Sequence, residues 1–135
     1  MRVVFDSNVL VSALAIPGGR ADRAVESVLD GRVILLLSKP IVGEILGVLG
    51  RKFSRDTEEL SRLAVFLADL AEFVAPTRRL QVLADDPDNR VLECALTGGA
   101  GLIVTGDRAM LELGEFEGIE IVTLREFLRR VEPAR

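Results

Sequence analysis

The 135-residue chain is acidic and contains no histidine. Its hydrophobic content of 49% and charged content of 28% are typical of a globular domain. This length is sufficient for one core, so we expect a single domain spanning residues 1–135. The missing histidine excludes His-based triads, histidine acid–base pairs and His-rich zinc sites, and leaves carboxylates with a hard metal ion for hydrolysis.

The net charge of −4 counts against a protein that holds nucleic acid by charge alone. A nucleic-acid substrate fits better if the acids are gathered in one metal site with the basic residues around it. The single cysteine excludes an intramolecular disulfide, and no apolar run reaches the roughly 20 residues of a membrane span. We therefore expect a cytoplasmic protein without a membrane anchor.

Strands and helices alternate in the predicted secondary structure. Continuous apolar runs predict buried strands at residues 3–5, 33–37, 102–105 and 119–122. Apolar residues at helical spacing predict helices over residues 21–29, 42–49, 60–71 and 91–96, and a last helix that ends near 131. Such alternation predicts an α/β fold with a mainly parallel sheet covered on both faces.

Helix starts are indicated at three places by residues that cap helices. The predicted capping groups are the Ser38 hydroxyl before Pro40, Asp56 with Glu59 three residues on, and Thr123 with Glu126. Before Pro76 the pattern leaves two possibilities open: the helix ends there, or a short strand intervenes.

Three aspartates occupy equivalent places in this pattern. Asp6 follows the first strand, Asp107 follows the strand at 102–105, and Asp88 opens a helix after an acidic turn. In open parallel sheets, ligands bind beyond the carboxyl ends of the strands. We therefore expect the three carboxylates to share one crevice.

Glu44 is the fourth acid of this set. It lies one to two turns into the helix after the second strand, and its neighbours at helical spacing, Ile41 and Val48, are apolar. A carboxylate between two core positions is expected at the edge of the core, where it can face the same crevice.

Carboxylates gathered in one crevice repel one another unless a cation lies between them. Mg²⁺ or Mn²⁺ is the cation that oxygen-only sites select, and such an ion polarises a phosphodiester and lowers the pKa of a bound water. Asn8 and Thr105 each stand two residues from a site acid, so they can hydrogen-bond the carboxylates or water.

Five sequence pieces resemble the PIN-domain ribonucleases, and among them the VapC-like toxins of bacterial and archaeal toxin–antitoxin pairs. They follow the family's order over nearly the whole chain, and they read VVFDSNVLVSAL, LSKPIVGEIL, GRKF, DDPDNRVLECAL and LIVTGD. The resemblance implies a three-layer α/β/α sandwich with a mainly parallel sheet of about five strands. It also implies Mg²⁺- or Mn²⁺-dependent cleavage of RNA, a cognate antitoxin as partner, and a homodimer.

The resemblance assigns the metal-binding and catalytic acids to Asp6, Glu44, Asp88 and Asp107, with Asn8 and Thr105 in support. Asp88 is chosen over Asp85 and Asp86 because it stands seven residues before Ala95, as in the family's helix start. Asn89 is a departure, since many relatives carry another acid there, and this affects a second metal position or the strength of metal binding.

Among the basic residues, Lys39, Arg90 and Arg108 stand within a few residues of a site acid, where an RNA phosphate would arrive. The other basic groups are interpreted as solvated faces. Asp85 and Asp86 are interpreted as turn residues, and Cys94 as a small buried hydrophobe without chemistry.

Two other functions remain open on the sequence alone. One is phosphoryl transfer to an aspartate, although the first strand ends D-S-N without the second Asp of the phosphatase D-x-D motif and no lysine follows a late strand. The other is a binding module for RNA or protein that keeps the fold without turnover.

Overall fold

The computed structural model describes residues 1–132 and consists of strands that alternate with helices. The strands are β1 (Arg2–Phe5), β2 (Ile34–Leu37), β3 (Glu72–Phe73), β4 (Leu102–Val104), β5 (Glu115–Phe116) and β6 (Ile119–Val122). The helices are α1 (Ser7–Ala15), α2 (Arg20–Leu29), α3 (Lys39–Lys52), α4 (Thr57–Leu70), α5 (Asp86–Gly98), α6 (Arg108–Leu113) and α7 (Leu124–Val131).

The strands form one six-stranded sheet in the order β3-β2-β1-β4-β6-β5. Every neighbouring pair is parallel except β5 with β6, which is antiparallel. The predicted α/β class and mainly parallel sheet are confirmed, and the sixth strand is the two-residue β5. Strand β1 lies between β2 and β4, so the residues after β1 and β4 are neighbours at one edge of the sheet.

Both faces of the central strands are covered. Successive side chains of a strand point to opposite faces, and all three residues of β4 and residues 3–5 of β1 are buried. Helix α5 packs on β1, β2 and β4, whereas α2 packs on both α1 and α7. The rings of Phe5 and Phe127 meet edge-to-face with centroids 5.3 Å apart, which joins β1 to α7. This arrangement is the predicted α/β/α sandwich.

Helices α1 and α6 are not predicted by the sequence pattern. In α1 the buried residues, Ser7, Val9, Leu10, Val11 and Ala13, cover more than half of the helix circumference, so the amphipathic periodicity is weak. Helix α6 has only six residues, too few for a periodic signal. The strand option before Pro76 is correct, because β3 precedes it.

The three predicted helix starts are correct, since α3, α4 and α7 follow Ser38, Asp56 and Thr123, and the predicted side-chain caps form at two of them. The Glu59 amide donates to the Asp56 carboxylate at 2.9 Å, and the Glu126 amide donates to the Thr123 hydroxyl at 3.1 Å. At Ser38 only the predicted capping hydrogen bond is wrong, because this hydroxyl is buried and makes no capping hydrogen bond, although α3 does begin at the next residue. Pro40, the second residue of α3, has no N–H to donate to it.

Across residues 1–132, each helix is too short or too polar to traverse a lipid bilayer.

Candidate active site

Asp6 stands directly after β1 and is 5% exposed. Its backbone amide donates to the Val104 carbonyl at 2.9 Å, which continues the β1–β4 pairing and holds the residue beside Thr105. The Thr105 hydroxyl donates to Asp6 Oδ2 at 2.7 Å. Burial raises the pKa of Asp6 and the charge of Asp107 adds to this, while the hydrogen bonds from Thr105 and from the amides of Asn8 and Ser7 lower it.

Asp107 is joined to Asp6 through the same threonine. Thr105 Oγ1 accepts a hydrogen bond from the Asp107 amide at 3.0 Å. The Asp107 side chain caps α6, since its Oδ1 accepts from the Met110 amide at 3.0 Å. The cap and the threonine fix Asp107, and capping a helix does not exclude this carboxylate from a role in the site.

Asp88 is the third residue of α5 and is only 5% exposed. Its Oδ2 is fully buried and has no hydrogen-bond partner among residues 1–132. Burial raises the pKa of Asp88 to about 7, and the charges of Asp107, Asp6, Asp85 and Glu44 contribute in that order. A buried carboxylate oxygen without a donor is costly, and a cation is the group that would satisfy it.

Glu44 is half-buried on α3, which packs against both α1 and α5. Of the four acids that raise the pKa of Asp88, Glu44 contributes least. It therefore lies at the margin of the group, whereas Asp6, Asp88 and Asp107 form its centre. All four acids singled out in the sequence are brought to one place, which we call the acid cluster.

The acid cluster offers only carboxylate oxygens, the ligands that Mg²⁺ and Mn²⁺ prefer. Within residues 1–132, no three side chains of acidic residues, His or Cys are already arranged to surround one ion. Mg²⁺ keeps several water ligands and is usually held by one or two carboxylates, so a complete protein shell is not required. The unpartnered Asp88 oxygen and the charge repulsion both fit a hard divalent cation.

Asn8 and Arg90 do not occupy the places expected for them. The Asn8 side chain is exposed, and it is the Asn8 backbone amide that acts on Asp6. Arg90 is buried: its Nη2 donates to the Leu80 carbonyl at 3.1 Å and its Nε lies 3.0 Å from Glu93 Oε1. The expectation that Arg90 contacts a phosphate is therefore wrong for this structure, whereas Lys39 and Arg108 are exposed and have no ion pair within residues 1–132.

Asn89 points away from the acid cluster. Its Oδ1 accepts from the amides of Val82 and Leu83 at 3.0 and 2.8 Å, and its Nδ2 donates to the Leu83 carbonyl at 2.8 Å. Glu93 Oε2 accepts from the Leu80 amide at 2.7 Å. The irregular segment 80–83 is thus held against α5 by Asn89, Arg90 and Glu93. The sequence reasoning missed this role, and its one signal is the cluster of polar residues that are buried on this helix.

The chain matches a known family over most of its length. The model of the PIN domain family matches residues 2–109. The chain belongs to the PIN domain family. An uncharacterized protein of Methanocaldococcus jannaschii, MJ1680, is 25% identical over 117 residues, which cover 84% of this chain and 75% of that protein.

Two solved structures share the PIN fold of this chain. The crystal structure of VapBC2 from Rickettsia felis bound to a DNA fragment from their promoter aligns with a TM-score of 0.66 and 16% identity, covering 91% of this chain and 98% of that chain. VapBC-1 from nontypeable Haemophilus influenzae aligns with a TM-score of 0.65 and 12% identity, covering 93% and 99%. The fold at the carboxyl ends of β1 and β4 is therefore that of a PIN domain.

Proposed function

We propose that this PIN domain is a divalent-metal-dependent endoribonuclease. The observation that carries the proposal is the buried Asp88 carboxylate, which has an oxygen without a hydrogen-bond donor and the charges of four other acids around it. Asp6, Asp88 and Asp107, with Glu44 at the margin, would hold Mg²⁺ or Mn²⁺. A bound ion would polarise the phosphodiester and lower the pKa of a water molecule.

The chain's own residues prepare the acid cluster for this task. The Thr105 hydroxyl donates to the Asp6 carboxylate and accepts from the backbone amide of Asp107, so one side chain positions both residues. Burial excludes water from Asp6 and Asp88, which strengthens every electrostatic interaction there.

The distribution of positive charge supports a nucleic-acid substrate despite the net charge of −4. Within residues 1–132, most arginines pair with a carboxylate. The cations without such a pair are Arg20, Lys39, Arg51, Lys52, Arg79, Arg108 and Arg125. Five of these seven, all except Arg51 and Lys52 at the end of α3, follow strand ends or line cavities beside them.

The experiment is incubation of the purified protein with a mixed single-stranded RNA pool, with Mn²⁺, with Mg²⁺ or with EDTA. We expect cleavage that needs metal and falls at least about 100-fold in Asp6→Asn and Asp88→Asn, because loss of a metal ligand removes several kcal/mol of transition-state stabilisation. Asp86→Asn is the matched control, since Asp86 is exposed in the same helical turn as Asp88. Undiminished cleavage by both site variants contradicts the proposal, and RNA binding without cleavage under any metal favours a binding module.

We further propose that the protein acts in the cytoplasm as the toxin of a toxin–antitoxin pair and forms a homodimer. The toxin role is supported by the likeness to two VapBC structures, whose low sequence identity by itself shows only the fold. An arginine of an antitoxin would suit a cluster of unpaired carboxylates. Light scattering of the purified protein tests the dimer, and growth arrest on induction that Asp6→Asn abolishes tests the toxin role.

A further inference from the structure

A cavity of about 320 Å³ opens beside the acid cluster. Residues after β1, β4 and β6 line it together with the start of α2, and we call it the Arg20 cavity. The residues that the argument uses are Asn8, Ser12, Arg20, Thr105, Thr123 and Arg125.

The Arg20 cavity and the acid cluster share a wall. Thr105 lines the cavity, and its hydroxyl donates to Asp6 Oδ2 at 2.7 Å. A single side chain thus separates the cavity from the carboxylates proposed to act on the scissile phosphate. Because the two sites share this wall, a strand bound at the acid cluster can also reach the cavity.

The lining of the Arg20 cavity is unlike the rest of this acidic chain. None of its lining residues is acidic, and hydroxyl, amide and guanidinium donors dominate its polar groups. Arg20 and Arg125 are exposed, and neither has an ion pair within residues 1–132. Two free guanidinium groups facing one cavity favour an anion, and phosphate in particular.

The backbone around the cavity favours the same ligand. Asn8, Arg20 and Arg125 all belong to the first two residues of their helices, α1, α2 and α7. A helix start carries partial positive charge and backbone amides that can bind an anion. Three helix starts therefore add positive potential at the cavity beside the two guanidinium groups.

We propose that the Arg20 cavity binds a backbone phosphate of single-stranded RNA adjacent to the phosphate held at the acid cluster. This subsite rests on the proposed function and extends it, because it names residues that position the strand without touching the reacting atoms. Arg20 and Arg125 supply the charge, and the hydroxyls of Ser12 and Thr123 supply further donors.

The test measures the affinity of a mixed-sequence single-stranded oligoribonucleotide in EDTA, where cleavage is excluded, over a series of salt concentrations. The proteins compared are the parent, Arg20→Gln with Arg125→Gln, the charge-retaining Arg20→Lys with Arg125→Lys, and Arg51→Gln. Arg51 is the matched control, because it is exposed and unpaired but lies in the last turn of α3, far along that helix from Lys39. Thermal unfolding confirms that each variant is folded.

We expect the double glutamine variant to bind RNA about tenfold or more weakly at low salt, as loss of charge-assisted hydrogen bonds implies. The slope of log affinity against log salt should become shallower by about 0.7 for each RNA phosphate that the variant no longer binds. The lysine variant should keep that slope, and Arg51→Gln should match the parent. Inorganic phosphate should compete only weakly, which separates a strand phosphate from a free ion.

Unchanged RNA affinity and slope in the double glutamine variant overturn the subsite, and such a result assigns the cavity to another ligand, such as an acidic segment of a protein partner. Absence of RNA binding by the parent protein overturns it equally. The proposed function fails separately, by metal-dependent cleavage that survives Asp6→Asn, and that result leaves the affinity measurement in EDTA unaffected.

Discussion

Replacement of Asp88 by asparagine should stabilise the metal-free protein above neutral pH. Asp88 has an ordinary pKa of 3.8 and a folded-state pKa of about 7. Because the folded state favours the protonated form, the free energy of unfolding falls as the pH rises from about 4 to about 7. The two pKa values differ by roughly three units, and one unit corresponds to about 1.4 kcal/mol. Above pH 7 the ionised carboxylate therefore lowers the free energy of unfolding by at most about 4 kcal/mol. Screening by water in the crevice reduces this cost.

Thermal unfolding in EDTA at pH 5 and pH 8 measures this effect. At pH 8 we expect the melting temperature of Asp88→Asn to exceed that of the parent by on the order of 10 °C. At pH 5 the difference should be small, and Asp86→Asn should behave as the parent at both values because Asp86 is exposed. Mg²⁺ should raise the melting temperature of the parent at pH 8 more than that of Asp88→Asn. Equal melting temperatures of parent and variant at pH 8 would refute the claim that burial and the neighbouring acids make ionised Asp88 destabilising.

Two further substitutions probe the groups around the acid cluster. Thr105→Val removes the hydrogen bond that lowers the pKa of Asp6, so the acidic limb of the pH profile of kcat/KM should move to higher pH. Thr105→Ser keeps the hydroxyl and should leave the limb in place. An unmoved limb in the valine variant contradicts the role of this hydroxyl. Asn89→Asp leaves the Leu83 carbonyl without its donor, so we expect the free energy of unfolding in urea to fall by about 2 kcal/mol. Mn²⁺ should bind no more tightly to this variant than to the parent. Tighter binding would show that residue 89 reaches the ion.

The acids of the candidate site are predictable from the sequence because a topological rule locates them. Asp6 and Asp107 each follow a buried parallel strand, and parallel strands share a carboxyl edge whatever their order in the sheet. For Asp88 the acidic turn before a helix start is a local signal, and the resemblance to the family selects this residue over Asp85 and Asp86. The prediction for Glu44 depends on helix phase alone, and this residue lies at the margin of the cluster.

The polar residues of α5 are harder to predict, because their partners lie in a segment without regular structure. Arg90 and Glu93 follow Asp88 closely, but their side chains turn to the irregular segment 80–83, whose course the sequence does not define. Asn89 belongs to the same class, since its neighbour Asp88 suggests a site role. A helix displays residues on all sides, and spacing alone does not tell which side meets a loop.

The attachment of segment 80–83 to α5 has a consequence for how this chain can diverge. Asn89, Arg90 and Glu93 bind amides and carbonyls of Leu80, Val82 and Leu83 and not their side chains. Exposed positions 81 and 82 can therefore change identity while the segment keeps its path into the helix that bears Asp88. Insertions or deletions there would break the match between donors and acceptors, so drift at these two positions is free in residue type, except for proline at 82, and restricted in length.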